Sequence, residues 1–362
     1  MRKIKVLVVD DSAFMRKLIT DFLSEHEQIE VIGTARNGED ALKKIQTLQP
    51  DVVTLDVEMP VMNGLEALKK IMEEHPLPVL MLSSTTAEGA KNTVLAMQYG
   101  AFDFITKPSG TISLDLHLIK DELIKKVLAA GQINEKTLKK LSDSNTKKEE
   151  IEKRQPMAKP VHTQRSVNWK SPSNKIVVIG TSTGGPRALQ QVLTVLPKDF
   201  PAPVLIVQHM PPGFTRSLAL RLDSLCQIHV KEAEDGEIIQ NGTAYIAPGG
   251  YHMTVKKVGS ATAIQLLQTP PKNGHRPSVD VMFESVSHLD QFDKIAVIMT
   301  GMGSDGKEGL ISLKQRGKVI AIAESEESCI VFGMPKAAIQ TNLVNHVEEV
   351  NQIAYTILKY FT

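Results

Sequence analysis

The sequence contains very little cysteine. Only Cys226 and Cys329 occur among its 362 residues, and they do not form a CxxC pair. Disulfide frameworks and cysteine-ligated zinc sites both require more cysteines at closer spacing. The composition therefore excludes a disulfide-stabilised secreted scaffold and favours a protein of a reducing compartment.

The chain also lacks an excess of charge of either sign. Its 42 Lys and Arg residues nearly cancel its 41 Asp and Glu residues. Nucleic acid and anionic lipid attract proteins that present a net positive field. The charge balance therefore disfavours nucleic acid and membrane surfaces as partners.

Long hydrophobic runs are absent as well. No uninterrupted apolar stretch reaches the roughly 20 residues that a membrane-spanning helix needs. The N-terminal segment MRKIKVLVVDDSA has basic residues before an apolar run, as a signal peptide does, but Asp10 and Asp11 interrupt that run too early. We expect this segment to form a strand, and we expect a cytoplasmic protein with no direct insertion into the membrane.

What the sequence does have is a regular alternation of short apolar runs and amphipathic stretches. Over residues 3–131, five apolar runs alternate with five helical patterns, which is typical of a parallel α/β sheet. Residues 132–173 are rich in charge and poor in apolar periodicity, as a flexible linker is. The alternation resumes over 174–362, where short segments between 227 and 270 predict a β-rich insertion. We expect two α/β domains, the second with a mostly parallel sheet.

Charged and hydroxyl side chains follow the predicted strands of the first domain. They are Asp10 and Asp11 after the first strand, Asp56 after the third, Ser83 after the fourth and Lys107 after the fifth. Because the carboxyl ends of parallel strands meet at one edge of an open sheet, we expect these groups to lie together. Clustered carboxylates repel each other, and a hard Mg²⁺ ion would relieve that repulsion while leaving room for phosphate oxygens. The pattern predicts a magnesium-dependent phosphoacceptor site.

Each of these residues has a separate role in this interpretation. Asp56 attacks the phosphoryl donor, while Asp10 and Asp11 bind the metal ion together with it. Lys107 neutralises the phosphoryl charge, and Ser83 hydrogen-bonds to the acyl phosphate. Taken singly, each strand-end group is as readily a helix N-cap or a surface charge, so the argument depends on all five occurring together.

The first domain resembles a response-regulator receiver domain, through the motifs VVDDS, LDVEMPVMNG and ITKP in this order. The resemblance implies a flavodoxin-like fold, Asp56 as the phosphoacceptor and a histidine kinase as the phosphodonor. It also implies a switch in which Ser83 and Phe104 change position on phosphorylation. A half-buried core aromatic is an alternative interpretation of Phe104, and it stays open here.

The second domain opens with a strand, a turn of small residues and a helix, in KIVVIGTSTGGPRALQQVL. Ser182 lies between Gly180 and Gly184 in a G-x-S-x-G arrangement, the spacing of a nucleophile elbow. Such a turn presents amide N–H groups and a helix N-terminus to developing negative charge. The same turn can cradle a nucleotide phosphate, and this alternative stays open, although GTSTGG matches neither a Walker loop nor G-x-G-x-x-G.

A nucleophilic serine needs a base and a group that orients the base. His209 ends the apolar run PVLIVQH, and Asp305 lies in the glycine-rich segment that follows KIAVI. In a serine esterase the imidazole takes the proton of Ser182, and the carboxylate supports the imidazolium. Spacing alone does not pair them, because a lone histidine and a glycine-flanked aspartate are ordinary structural residues.

Residues 174–362 resemble the catalytic domain of the chemotaxis protein-glutamate methylesterases. The motifs that carry the resemblance are, in order, IGTSTGG, QHMPPGFT, IAPGGYHM, RPSVDVMF, TGMGSDG and VFGMPKAA. By position it implies Ser182 as the nucleophile, His209 as the base, Asp305 as the orienting acid and the backbone of Met302 at the oxyanion site. It further implies that glutamate methyl esters of chemoreceptors are hydrolysed to glutamate and methanol, and that receptor glutamines are deamidated, with no cofactor for the esterase.

The order of the two domains predicts regulation. A receiver has no means of hydrolysing esters, so we expect it to inhibit the catalytic domain until Asp56 is phosphorylated. Two alternatives from other classes are an output domain that binds nucleic acid and a non-hydrolytic nucleotide-binding domain. The first lacks a helix-turn-helix pattern and a basic face, and the second depends on the GTSTGG turn alone.

Overall fold

The computed structural model describes residues 2–107, 116–134, 138, 139, 141 and 174–361. The chain divides into two compact units, residues 1–149 and residues 150–362. Most of the predicted linker, 132–173, lies outside the described residues.

The first unit alternates strands with helices, as the sequence predicts. These elements are β1 (Ile4–Val9), α1 (Ala13–Ser24), β2 (Ile29–Ala35), α2 (Gly38–Leu48), β3 (Val52–Asp56), α3 (Gly64–Glu74), β4 (Val79–Ser83), α4 (Ala87–Gln98), β5 (Asp103–Thr106) and α5 (Leu116–Ala130). The strands form one parallel sheet in the order β2-β1-β3-β4-β5. This is the flavodoxin-like order. The direction in which successive strands are added to the sheet reverses between β1 and β3, and ligands bind at this point in such sheets.

The central strands of this sheet are apolar along their length because both faces are covered. All five residues of β3 and all five of β4 are buried, as expected for a parallel sheet with helices on both sides. Helix α5 contributes Leu123 and Val127, which are buried. The helix ends at Ala130, directly before Gly131.

The second unit also alternates strands and helices. Its elements are β6 (Asn174–Thr181), α6 (Gly185–Leu193), β7 (Val204–Gln208), α7 (Phe214–Asp223), β8 (His229–Glu232), β9 (Thr243–Ile246), β10 (His252–Val258), β11 (Ala261–Leu267), α8 (Val279–Ser287), β12 (Phe292–Ile298), α9 (Lys307–Gln315), β13 (Val319–Glu324), α10 (Met334–Ile339), β14 (His346–Glu348) and α11 (Val350–Leu358). Seven strands form a parallel sheet in the order β14-β13-β12-β6-β7-β9-β8. The first strand of the unit, β6, therefore lies in the middle of the sheet, and the winding direction changes there.

The predicted β-rich insertion divides between two structures. Strands β8 and β9 extend the parallel sheet, and β10 and β11 form a separate antiparallel hairpin. Every residue of β9 is buried, because it pairs with β7 on one side and β8 on the other. The sequence pattern predicts the strands but not their pairing partners. None of the helices within the described ranges has the length and apolar content of a membrane span.

Helices α8 and α9 pack closely, and Gly309 on α9 makes that approach possible. A Cβ atom at Gly309 would lie 2.6 Å from Phe283 Cβ and 3.0 Å from Asp280 Cα. At Gly317, which follows α9, a Cβ atom would meet only one atom, the terminal Nζ of the long, buried Lys294 side chain, at 3.0 Å. At Gly309 a backbone atom and a Cβ atom would have to move to make room for a methyl group, whereas at Gly317 only the end of one side chain would have to move.

Replacing Gly309 by Ala should lower the free energy of unfolding of the second unit by about 1–3 kcal/mol, because the added methyl group overpacks a backbone contact. The matched control is Gly317→Ala, for which we expect a change within about 0.5 kcal/mol, since the lysine end can move. Scanning calorimetry of the full chain measures both melting temperatures. Equal shifts in the two variants would contradict the close packing of α8 on α9.

Candidate active site and acidic pocket

Ser182 stands directly after the central strand β6 and before helix α6. Its N–H donates to the carbonyl of Thr300 at 3.0 Å, and its carbonyl accepts the N–H of Gly185 at 2.8 Å, which closes a tight turn. Gly184 in this turn has φ +80°, a left-handed conformation that glycine adopts without strain. Ser182 is only half-buried, so the turn leaves it partly accessible at the edge of the sheet.

His209 leaves the sheet beside the serine. Thr181 and Gln208 are paired positions of β6 and β7, and the N–H of His209 donates to the carbonyl of Thr181 at 3.1 Å. Ser182 and His209 therefore follow directly on a paired position of two neighbouring strands. The structure brings both residues to the same edge of the sheet.

Asp305 contacts His209 directly. Asp305 Oδ2 lies 2.8 Å from His209 Nε2, and the two side chains are only 2% and 6% exposed. The other ring nitrogen, Nδ1, is buried and has no hydrogen-bond partner among the described residues. Within residues 174–361, which the structure describes, no hydrogen bond joins Ser182 Oγ to the imidazole. Because Nε2 faces Asp305, Nδ1 is the ring nitrogen that remains to receive a proton. Catalytic hydrogen bonds are often formed only when substrate is bound.

The N-terminus of α8 holds the Asp305 carboxylate. Oδ2 accepts the N–H of Val279 at 2.7 Å, and Oδ1 accepts the N–H of Asp280 at 3.0 Å and the hydroxyl of Ser278 at 2.9 Å. A helix N-terminus favours negative charge. Burial by itself raises the pKa of Asp305, but the hydrogen bond and charge of His209 and the two amides outweigh it and hold the pKa below its usual range.

Asp280 makes the converse contact with helix α9. Its Oδ1 accepts the N–H of Gly306 at 2.9 Å and the N–H of Gly309 at 2.8 Å. Burial and the nearby charge of Asp305 raise the pKa of Asp280, although the two amides oppose the shift. Asp305 thus caps α8, the helix that contains Asp280, and Asp280 caps α9, the helix that follows Asp305. This exchange fixes the position of the loop that carries Asp305.

The loop that carries Met302 lies against the nucleophile. A Cβ atom at Gly301 would come within 2.7 Å of Ser182 Cβ, so the missing side chain allows the approach. The N–H of Ser182 is already bonded to Thr300 O, whereas the N–H of Met302 has no acceptor among the described residues. Met302 is half-buried, and its amide is free to meet a ligand beside Ser182.

Two residues beside His209 are not predicted by the sequence interpretation. The ring of His275 stacks on that of His209, with 3.9 Å between centroids and 7° between planes. The side-chain amide of Gln208 lies between the carbonyls of Ser182 and His209. His275 directly precedes the motif RPSVDVMF, and Gln208 is the first residue of QHMPPGFT, but stacking and bridging depend on the folded geometry.

The first unit brings the predicted acidic pocket together. Oxygen atoms of Asp10, Asp11 and Asp56 lie within 4.8 Å of one another, with Asp10 and Asp56 buried and Asp11 exposed. Lys107 Nζ lies 2.8 Å from Asp10 Oδ2 and 2.8 Å from Asp56 Oδ2. Three carboxylates face one ammonium group, so the pocket keeps an excess of negative charge.

The electrostatics of this pocket suit a divalent cation. Burial raises the pKa of Asp56 to about 6, although the hydrogen bond and charge of Lys107 act against the shift. Burial lowers the pKa of Lys107, but its hydrogen bonds to Asp10 and Asp56 outweigh burial and raise it. Closely spaced carboxylate oxygens are the ligands that Mg²⁺ prefers, so the residues present fit this ion.

Ser83 and Phe104 have other partners in this structure. The Ser83 hydroxyl is fully buried and faces helix α4, where it donates to Gly89 O at 3.1 Å and accepts from Thr93 Oγ1 at 2.7 Å. Phe104 is 5% exposed, so its ring lies in the core in this conformation.

Comparisons with known proteins place both parts of the chain in families. Residues 177–357 match the family model of the CheB methylesterases, and residues 6–118 match that of the response regulator receiver domain. The chain is 60% identical to a protein-glutamate methylesterase/protein-glutamine glutaminase of Halalkalibacterium halodurans, over 99% of this chain and 98% of that protein. It is 54% identical to the protein of the same name from Bacillus subtilis, over 98% and 97% of the two chains.

A solved structure is similar to the second unit. The crystal structure of the Thermotoga maritima CheB methylesterase catalytic domain covers 52% of this chain and 98% of its own, with 46% identity and a TM-score of 0.50. The predicted combination of a receiver and a methylesterase-like domain is therefore confirmed at the level of the family.

Replacing Asp305 by Asn should destabilise the second unit in a way that depends on pH. Because the pKa of Asp305 is lower in the folded chain than in the unfolded chain, its carboxylate stabilises the fold above the unfolded pKa of about 4, and this contribution is lost as pH falls towards the folded pKa. We expect Asp305→Asn to reduce the free energy of unfolding by about 1–3 kcal/mol at pH 7 and by clearly less near pH 3.

Urea unfolding of the full chain at the two pH values measures this difference. The exposed Asp290 provides the matched control, and Asp290→Asn should change stability by less than about 0.5 kcal/mol. An Asp305→Asn deficit that stays constant down to pH 3 would show that the ionised carboxylate is not what stabilises the loop.

Proposed function

The chain belongs to the CheB methylesterase family, and we propose that it is a phosphorylation-regulated serine esterase that hydrolyses glutamate methyl esters on chemoreceptors. The observation that carries the proposal is the contact of Asp305 with His209 at the same sheet edge that presents Ser182. Relatives that match almost the whole chain bear the name of this activity. We assign the receiver to residues 3–131, the linker to 132–173 and the catalytic domain to 174–362.

In the first step Ser182 Oγ attacks the ester carbonyl of a methylated glutamate side chain. His209 Nδ1 takes the serine proton, and Asp305 at Nε2 supports the imidazolium that forms. The tetrahedral intermediate carries an oxyanion, for which the N–H of Met302 is the available donor beside Ser182. Asp305 is well suited to this role because its own contacts keep it ionised.

The intermediate collapses when the bond to the methoxy oxygen breaks and His209 gives its proton to that oxygen. Methanol leaves, and the glutamyl group remains esterified to Ser182. Water then attacks the acyl-enzyme with His209 as base, which restores Ser182 and releases glutamate. A receptor glutamine follows the same route with ammonia as the leaving group, and all these steps use only groups of this chain.

The substrates and the partner follow from the same assignment. The receptor glutamates that this activity serves lie on cytoplasmic helices, so we propose that the protein acts in the cytoplasm on methyl-accepting chemoreceptors. A histidine kinase of the chemotaxis system supplies the phosphoryl group. The nearly equal numbers of acidic and basic residues agree with partners other than nucleic acid.

In the receiver, Asp56 accepts the phosphoryl group. Asp10, Asp11 and Asp56 would hold Mg²⁺, and the bound ion would supply positive charge next to the phosphoryl oxygens. Lys107 already lies between Asp10 and Asp56. Once Asp56 is phosphorylated, the Lys107 ammonium group pairs with the phosphoryl oxygens. Ser83 exchanges its partners on α4 for a phosphoryl oxygen, and Phe104 responds as the switching aromatic.

Phosphorylation controls the esterase through a shift of populations. The unphosphorylated receiver inhibits the catalytic domain, and the phosphoryl group favours the released arrangement. Each difference of about 1.4 kcal/mol in this preference changes the ratio of released to inhibited molecules tenfold.

Ser182→Ala should lower the rate of methanol release from methylated receptors at least about 1,000-fold, because no other group forms the acyl-enzyme. Asp56 should still be phosphorylated by a small phosphodonor, since the receiver keeps its own acceptor. Ser224→Ala, at an exposed position after α7, is the control and should keep full activity. Methanol release that survives in Ser182→Ala would rule out this mechanism.

Asp56→Asn should remove the response to phosphorylation. With Mg²⁺ and a small phosphodonor, methanol release by the unaltered chain should rise, whereas the rate of the Asn variant should stay at its basal value. Asp21→Asn, on the exposed face of α1, is the control and should respond normally. An Asp56→Asn protein that is stimulated as strongly as the control would show that regulation does not pass through this aspartate.

A further inference from the structure

The side chain of Gln208 connects the backbone of Ser182 with that of His209. Gln208 Nε2 donates to the carbonyl of Ser182 at 3.0 Å and to the carbonyl of His209 at 3.2 Å. Its Oε1 accepts the hydroxyl of Thr181 at 2.5 Å. The side chain is 2% exposed, so these contacts are made away from water.

The position of this bridge matters because the strand pairing ends there. The last paired position of β6 and β7 is Thr181 with Gln208, and the N–H of His209 makes the last contact, to Thr181 O. Beyond it the N–H and the carbonyl of Ser182 turn to other partners, Thr300 and Gly185. The Gln208 amide extends the hydrogen-bonded connection between β6 and β7 by one residue beyond each strand, to Ser182 after β6 and to His209 after β7.

Glutamine is the residue type that satisfies all three neighbours. Two carbonyl oxygens require donors and the Thr181 hydroxyl requires an acceptor, and an amide offers two N–H donors and one carbonyl. A carboxylate would place lone pairs against the two carbonyls, and an apolar side chain would remove the Gln208 donor from the His209 carbonyl and leave the Ser182 carbonyl with the N–H of Gly185 alone. The fold leaves space for the amide at Gly185, where a Cβ atom would lie 1.9 Å from Gln208 Oε1.

We propose that Gln208 is a positioning residue that sets the separation of Ser182 and His209 before substrate binds. The inference rests on the proposed esterase function. The two carbonyls that Gln208 holds belong to the residues that exchange a proton in both halves of the reaction. Gln208 itself is buried, so it fixes the geometry of that proton transfer without contacting the receptor.

The effect of losing this bridge should appear in kcat and not in KM. A displacement of reacting groups by about 1 Å lowers rates by about 100-fold, whereas the surface that binds the receptor is unchanged. We expect Gln208→Met in the full chain, activated with a small phosphodonor, to lower kcat for methanol release by about 10- to 100-fold. KM for the methylated receptor should stay within about twofold.

A loss of stability alone must be separated from a loss of geometry. Val230→Ala is the control, because Val230 is 2% exposed and lies on β8, at the far edge of the same sheet. It should destabilise the second unit while leaving kcat unchanged at temperatures where the protein is folded. Thr181→Val is a milder variant, which removes only the hydroxyl that orients the amide, and it should lower kcat in the same direction by a smaller factor.

A second readout does not require the receptor. The rate at which a small fluorophosphonate labels Ser182 depends on the same serine and imidazole, and it should fall in Gln208→Met and Thr181→Val in parallel with kcat. The inference is overturned if both variants label Ser182 and turn over at the rate of Val230→Ala, or if only KM changes. If the unaltered chain releases no methanol, the proposed function fails, and the labelling rates still decide whether Gln208 positions the nucleophile.

Discussion

The Asp305 carboxylate lies between an imidazole and the N-terminus of a helix, and the arrangement of the sheet edge that carries Ser182 and His209 depends on both contacts. His209 reaches one oxygen, while amides at the start of α8 reach both. Burial alone would favour the neutral acid, and these contacts reverse that tendency. The exchange of caps between Asp280 and Asp305 then ties α8 to α9 and keeps the carboxylate in place. An ionised, immobile carboxylate is what an orienting acid has to be.

The two units place different chemistry at the same point of a parallel sheet. In each, the functional groups follow strands whose carboxyl ends meet where the winding direction changes. In the first unit that edge gathers like charges, which favours a divalent cation and a phosphoryl group. In the second it gathers a hydroxyl, an imidazole and a carboxylate, which favours attack on a carbonyl. The helix N-termini at this edge serve both, because they stabilise negative charge.

Buried polar side chains determine the fine geometry in both units. The Ser83 hydroxyl is held by groups of α4, which fix its direction in this conformation. The Gln208 amide is held between two backbone carbonyls, where it fixes the neighbouring loops. Such fully bonded groups specify one arrangement because each alternative leaves a donor or acceptor unpaired away from water.

The sequence by itself determined the alternation of strands and helices, the two α/β units and the strand-end residues that meet at their edges, because apolar periodicity and motif order are local properties of the chain. It also pointed to Ser182, His209 and Asp305, although only the family resemblance paired them. The tertiary structure alone decided that β8 and β9 join the parallel sheet, that Nε2 of His209 faces Asp305, that the ring of His275 stacks on the imidazole, and that the Gln208 amide bridges the carbonyls of Ser182 and His209. Each of these depends on which distant segments pack together, and most of them join residues or strands that are far apart along the chain.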